Sequence, residues 1–186
     1  MLPRFNDTLL AKQTWRLLHE QDSLFYKVFK AKYFPNSSIM KVTTPSSASY
    51  AWKSIIKGRE VIKKGAVWRI GGGKSVRVWG DNWLLGTDMN RVVSPGWRGV
   101  EDFIVSLFID QINCRWKEDL LDYYLMEFEA EKIKAIPLSK TQLHDTLIWP
   151  HNPSGEYTVK SGYKFLQNEF QSQQPGTSNP AASKIL

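Results

Sequence analysis

The run Gly71-Gly72-Gly73-Lys74-Ser75 has the residue types of a phosphate cradle, since backbone amides of a glycine-rich loop ending in Lys-Ser can converge on an anion. The full phosphate-binding loop also needs its first glycine at Arg69 or earlier, at a spacing this chain does not provide, and a helix after the lysine, which the following residues do not predict. The next residues, Ser75-Val76-Arg77-Val78-Trp79, are strand-like, so the run predicts a tight hairpin turn whose Lys74 can still touch a phosphate. His19, His144 and His151 lie far apart, Cys114 stands alone, and no His-x-x-x-His or Cys-x-x-Cys pair seeds a zinc site. His144-Asp145 lacks a serine or cysteine in a nucleophile elbow and reads as a surface histidine ahead of a strand. Glu118, Asp119, Asp122, Glu127, Glu129 and Glu131 spread around a helix instead of gathering as a two-metal site would require. The residues therefore predict no catalytic centre, no metal site and no cofactor.

Positive charge interleaved with aromatic rings is the stronger signal, in Trp52-Lys53, Trp68-Arg69 and Arg77-Val78-Trp79. Residues 1–80 hold 15 Lys/Arg against 4 Asp/Glu, a balance of +11, whereas residues 81–186 hold 10 against 14, a balance of −4. A basic first part suits a polyanion, and nucleic acid, RNA or DNA, is the expected partner. Lys53, Lys57, Lys63, Lys64, Arg69, Lys74 and Arg77 are the candidate phosphate contacts, with Trp68 and Trp79 as stacking or supporting residues. A solvated basic face around an ordinary tryptophan core is the competing reading.

These residues need elements to carry them. Asn6 or Asp7 can cap a first helix, whose face is Leu10, Thr14, Trp15 and Leu18. Asp22 to Tyr33 reads as a second helix stopped by Phe34-Pro35-Asn36, and Ser37 to Ser49 as a Ser/Thr-rich loop. A third helix spans Ser49 to Lys64, ended by Gly65, with Trp52, Ile55, Ile56 and Ile62 inward and Lys53, Lys57 and Lys64 outward. Val67 to Ile70 and Ser75 to Trp79 predict the central hairpin, and 80–99 a connection anchored by Trp83 and Trp97. After a short apolar element at 100–108, one helix is expected from Asn113 to Ile136, then a second hairpin of 146–149 with 156–159, and a last helix from Lys160 to Phe170. The polar tail from Gln171 reads as disordered. The apolar run Phe103 to Ile109 is too short for the roughly 18 to 20 residues of a membrane span, and no secretory signal is read at the N-terminus. No membrane partner is expected, and the setting is read as intracellular, nuclear or cytoplasmic.

Several ordered motifs carry a resemblance. Leu10 to Leu18 (LAKQTWRLL), Lys30 to Pro35 (KAKYFP), Ser49 to Ile55 (SYAWKSI) and Gly65 to Leu84 (GAVWRIGGGKSVRVWGDNWL) resemble the plant LINE-type (non-LTR) retrotransposon polyprotein, just after its reverse transcriptase palm and thumb. Ile136 to Ser139, Asp145 with Ile148-Trp149, and Ser154 to Tyr163 (SGEYTVKSGY) resemble the entry to the reverse transcriptase zinc-binding-like domain of that family. The resemblance covers about Leu9 to Leu166. Catalysis in that family rests on a Phe/Tyr-Ala-Asp-Asp motif, which has no match here; the later Cys and His positions and the RNase H part have none either. The resemblance thus implies a non-catalytic connector that holds template or primer, with other parts of such a polyprotein as further partners.

The expected fold class is α+β: a helical N-terminal half, a central β-hairpin, a second small helix and hairpin part, and a disordered C-terminal tail. The expected segments are 1–36, helical; 37–99, loop, basic helix and Trp-rich hairpin; 100–170, acidic helix and a truncated zinc-binding-like start; and 171–186, the tail. The expected function is sequence-independent nucleic-acid binding without enzymatic activity. A protein-interaction or scaffold remnant is the alternative.

Overall fold

Threonines and small residues on one helix face let another helix approach closely, and the first helix has such a face: Thr8, Ala11 and Thr14 are fully buried and Trp15 nearly so. A computed structural model describes residues 2–87, 90–96, 99–138 and 144–172. In it α1 spans Leu2–His19. It starts ahead of the expected Asn6 or Asp7 cap, with Pro3 in the first turn, where a missing amide hydrogen costs nothing. α2 is Leu24–Tyr33, capped by Ser23, whose hydroxyl accepts from the Tyr26 amide at 3.1 Å. α3 is Tyr50–Gly65. Gly58 of α3 faces the backbone of Leu10 and Ala11 so closely that a Cβ there would lie 2.4 Å from the Leu10 carbonyl carbon. The Thr14 hydroxyl completes the seam by donating to the Ile55 carbonyl at 2.9 Å.

The chain then enters a different body. The molecule divides into two compact units, one made of residues 1–65 and 151–186, the other of residues 66–150. The division differs from the four successive segments expected, because the first unit is completed by chain that comes after the second. Its core includes Trp52, fully buried and stacked on Tyr33 with ring centres 4.5 Å apart. Ring stacks of this kind, with the area they bury, make Trp→Ala changes in cores cost about 3–5 kcal/mol. The Ser/Thr-rich loop is tied down: Ile39 is buried, and Arg59 Nη1 donates to the Ile39 and Val42 carbonyls at 3.0 and 2.7 Å. α6, Val159–Ser172, closes the unit.

In the second unit β1, Val67–Arg69, pairs antiparallel with β4, Thr146–Ile148, in the register Val67 with Ile148 and Arg69 with Thr146. Both expected hairpins are thereby corrected. β1 does not pair with 75–79, which forms only an Arg77–Ile104 bridge, and 156–158 forms no strand. The physical reason is the glycine run, which bends away from a two-residue hairpin geometry; Gly73 has φ +69° and its carbonyl accepts from the Ser106 amide at 2.9 Å. A Cβ at Gly73 would come within 2.6 Å of that amide nitrogen. A 3₁₀ turn at Val105–Phe108 leads into β2, Ile109–Asp110, which pairs with β3, Arg115–Trp116.

The single helix expected over 113–136 is also corrected: it is β3, then α4, Glu118–Tyr124, and α5, Glu127–Lys134. Leu125 and Met126 are extended between them, with ψ of 155° and 146°. The Met126 amide, freed by this break, donates to the Ser94 hydroxyl at 2.8 Å. Val76, Val78, Trp83, Val105, Leu121 and Ile133 fill the core of this unit. The class is α+β with a helical N-terminal half, as expected. Trp97, expected as an anchor, and the tail beyond Ser172 lie outside the described residues. Among the described residues no helix is long and apolar enough to cross a membrane.

Candidate nucleic-acid interface

α3 carries four of the predicted contacts, because positions spaced by three or four residues share a helix face. With Trp52, Ile55 and Ile62 inward, Lys53, Lys57, Lys63 and Lys64 are all exposed. Each has a local anchor. Lys53 Nζ donates to the Ser46 carbonyl at 2.8 Å. Lys57 pairs with Asp7 at 3.0 Å, Lys63 with Glu60 at 3.4 Å, and Lys64 with Glu169 at 3.5 Å. Solvent-exposed pairs of this type are worth about 0–1 kcal/mol and weaken with salt, so they restrain the lysines without committing them.

The first unit is also where positive charge concentrates. Residues 1–65 and 151–186 hold 15 Lys/Arg against 6 Asp/Glu, a balance of +9, while residues 66–150 hold 10 against 12, a balance of −2. The contrast is smaller than that between the sequence halves, +11 against −4, because Arg69, Lys74 and Arg77 belong to the second unit. Lys27 and Lys32 of α2, absent from the predicted set, are exposed beside the exposed Leu24 and Val28. Their signal was present in the helical spacing, which places Lys27, Lys30 and Lys32 off the inner face.

In the second unit Arg69 is exposed on β1, opposite Thr146, and Lys74 is exposed on the glycine loop. Arg77 hydrogen-bonds Asp81, Nη2 to Oδ1 at 3.2 Å, and its guanidinium lies against Gly80. Arg69 and Arg77 share no hairpin face, since the two segments that carry them do not pair. Trp68 is half-buried and packs against the core, and Trp79 is half-buried with its Nε1 donating to the Ser94 carbonyl at 2.9 Å. The Trp79 indole is thereby fixed within the unit.

The glycine loop does hold an anion, and the anion is the chain's own. Asp145 Oδ1 accepts from the amides of Gly71 and Gly73, and Oδ2 from that of Ser75, each at 2.8 Å. Three amides aimed at one carboxylate form a nest, the arrangement that elsewhere receives phosphate. Asp145, read in the sequence as a neighbour of His144 and as part of the resemblance around Ile148-Trp149, is the clamp that seats β4 beside β1. A second carboxylate behaves alike: Glu129 is fully buried and accepts from the Val93 amide at 2.6 Å, the Ser94 amide at 3.0 Å and the Ser94 hydroxyl. Such donors replace the water a buried carboxylate loses. Among the described residues no three His, Cys, Asp or Glu side chains gather closely enough to hold a metal ion.

The motif Ser154 to Tyr163 also resolves into packing. Tyr157 is fully buried and its hydroxyl donates to the Thr8 carbonyl at 3.1 Å. Burial pushes that phenol well above its ordinary pKa. Glu156 accepts from Trp15 Nε1 at 2.9 Å, and Gly162 makes room for the Tyr157 ring. Thr158 and Ser161 exchange side-chain and backbone hydrogen bonds at the start of α6.

No family model matches the chain, and no solved structure matches it. An Arabidopsis thaliana protein named "Uncharacterized mitochondrial protein" is 42% identical over 81 residues, which are 44% of this chain and 53% of that protein. The Arabidopsis thaliana "Putative ribonuclease H protein" is 29% identical over 166 residues, 87% of this chain and 27% of that protein. The chain thus spans about half of one relative and about a quarter of the other. These similarities tie the chain to plant proteins and accord with a transposon-derived origin.

Proposed function

We propose that the chain is a non-catalytic, reverse-transcriptase-related segment of LINE-type retrotransposon origin, drawn from between the reverse transcriptase and its zinc-binding-like domain. In this reading it binds single-stranded RNA or DNA without regard to sequence. The observation that carries the reading is the segregation of charge into the first unit, 15 cations against 6 carboxylates, with Lys53, Lys57, Lys63 and Lys64 exposed along one helix. A polyanion releases condensed counterions when it meets such a face, and weak surface ion pairs yield to it. The similarity over 87% of the chain to a protein named for ribonuclease H, an enzyme class acting on nucleic acid, supports the same reading.

The test is binding of a fluorescent single-stranded oligonucleotide over a salt series. Replacing Lys53, Lys57, Lys63 and Lys64 with Ala should weaken binding and flatten the slope of log K against log salt by about 0.7 for each phosphate no longer neutralised. The triple change Arg69, Lys74 and Arg77 to Ala should have the smaller effect. No binding at low salt, or an unchanged slope in the lysine variant, overturns the reading. Metal-dependent polymerisation or cleavage by the pure chain overturns its non-catalytic part. The exposed Leu24 and Val28 on α2 favour the second reading, a protein-interaction remnant. Salt-insensitive capture of a protein partner without nucleic-acid binding is the result that selects it.

A further inference from the structure

The second unit contains a cleft of about 730 Å³ whose use no element of the proposed function requires. Its walls come from β1, β4, the segment around Trp83 and the end of α5, and it lies wholly within residues 67–148. That volume falls in the range of small-molecule sites. Trp68 and Trp83 contribute indoles to the lining, and Ile136 and Ile148 contribute aliphatic surface. Trp83 is 3% exposed and its Nε1 donates to the Val78 carbonyl at 3.0 Å, so its ring is fixed in place. Two exposed cations belong to the lining, Arg69 and Lys132, and no Asp or Glu is among the described lining residues. Lys132 is steadied there by donating to the Gly86 carbonyl at 2.6 Å, which leaves other ammonium hydrogens to serve a ligand. Arg69 makes no ion pair with a described residue.

This combination selects against most occupants. A small inorganic anion would leave the apolar walls unfilled, and a neutral hydrocarbon would make no use of the two cations. A flat, apolar-faced body carrying an anionic group satisfies both. We propose that the cleft binds a single nucleotide unit, its base against the indole and aliphatic lining and its phosphate on Arg69 and Lys132. Base faces stack on aromatic side chains, and phosphate oxygens take charge-assisted hydrogen bonds from guanidinium and ammonium groups. The inference rests on the nucleic-acid reading and gives it a second, structurally distinct site. The nucleotide can be free or the end of a strand.

The test titrates the full chain with AMP, GMP, CMP and UMP, with the matching nucleosides, with laurate, and with a short 5′-phosphorylated oligonucleotide. The readouts are tryptophan fluorescence and the indole N–H signals of Trp68 and Trp83 by NMR. Saturable shifts of these signals by mononucleotides, with nucleosides about a hundredfold weaker, are expected, since the phosphate makes two charge-assisted hydrogen bonds worth about a factor of ten each. R69Q and K132Q, both at exposed positions, should each weaken nucleotides about tenfold and leave nucleosides unchanged. Ala135 is exposed and lines the cleft, so A135W should fill it and abolish binding. Tighter binding of the oligonucleotide than of its terminal nucleotide alone assigns the site to a strand end; equal binding assigns it to free nucleotides. Absent indole shifts, equal affinity for nucleosides and nucleotides, or laurate binding as tight as nucleotide overturns the proposal. The lysine variant of α3 separates the two readings, because it should weaken the binding of long strands and flatten its salt dependence while leaving mononucleotide titrations untouched.

Discussion

Replacing Asp145 with Ala removes the acceptor of three backbone amides at once. The bonds from Gly71 and Gly73 are part-buried and that from Ser75 is exposed, all at 2.8 Å. Water can take over the Ser75 amide, so its loss is nearly neutral. Hydrogen bonds to a charged partner are worth roughly 1.5–3 kcal/mol, and the lower figure for each of the two part-buried bonds gives a loss of about 3 kcal/mol. With an m value of about 1.5 kcal/mol/M, the urea midpoint of the second unit should fall by about 2 M. Asp145→Asn should lose about half as much: one amide oxygen still accepts, but the NH₂ group faces the Ser75 N–H, donor against donor. Hydrogen exchange at Gly71, Gly73 and Ser75 gives the local readout, with the first two amides losing protection in Asp145→Ala. The emptied nest should then accept an external anion, so sulfate should stabilise Asp145→Ala more than it stabilises the parent. An Asp145→Ala chain with an unchanged midpoint, protected glycine amides and no differential response to sulfate would refute the clamp.

Two further outcomes concern the first unit. Gly58→Ala gains about 1 kcal/mol in helix propensity but drives a Cβ into the Leu10 and Ala11 backbone, where overpacking costs about 1–3 kcal/mol or more. A net loss in chemical denaturation is therefore expected, and a stabilised Gly58→Ala would show that α1 and α3 can separate freely. His151 packs against Phe165 with the rings tilted and their centres 4.5 Å apart, and burial holds its pKa below the ordinary value, opposed in part by a hydrogen bond with the Gly65 backbone and by the charge of Glu169. Since the unfolded chain binds the proton more readily, this contribution to stability is present above the unfolded pKa of about 6.5 and is lost as pH falls through the lower folded value. NMR titration of the His151 ring should give a midpoint below 6.5, and His151→Gln should flatten the acid limb of the stability profile.

The helices were legible because their signals are local. Trp52, Ile55 and Ile62 announce the inner face of α3, and the polar residues ahead of Leu24 announce the start of α2, with Ser23 rather than Asp22 as the cap. Strand partners were not legible. Alternation marks Val67 to Ile70 as extended, but nothing within that stretch points to Thr146–Ile148, and the nearer candidate at 75–79 was the natural choice. The break at Leu125 and Met126 carries neither glycine nor proline; it is stabilised by Ser94, far off in sequence. For the candidate interface, exposure of Lys53, Lys57 and Lys64 followed from periodicity, which did not place Lys63, whereas the partners Asp7 and Glu169 depend on tertiary packing. The anion nest left a trace, a glycine run rich in amide donors, but identifying Asp145 as its occupant required the β1–β4 register.

That register has a consequence for how the chain acquires its structure. Val67 lies opposite Ile148, so the second unit begins and ends on neighbouring strands. Until it folds, α3 and α6 are ends of a flexible loop of more than eighty residues; afterwards they are ends of a short bridge. By the logarithmic dependence of closure entropy on loop length, about 0.6 kcal/mol per doubling, folding of the insert lowers the cost of completing the first unit by about 2 kcal/mol. During synthesis the insert emerges whole before α6 exists, which favours that order of events. Damage to the β1–β4 pairing therefore reaches the basic unit through chain connectivity alone, without a lysine being touched.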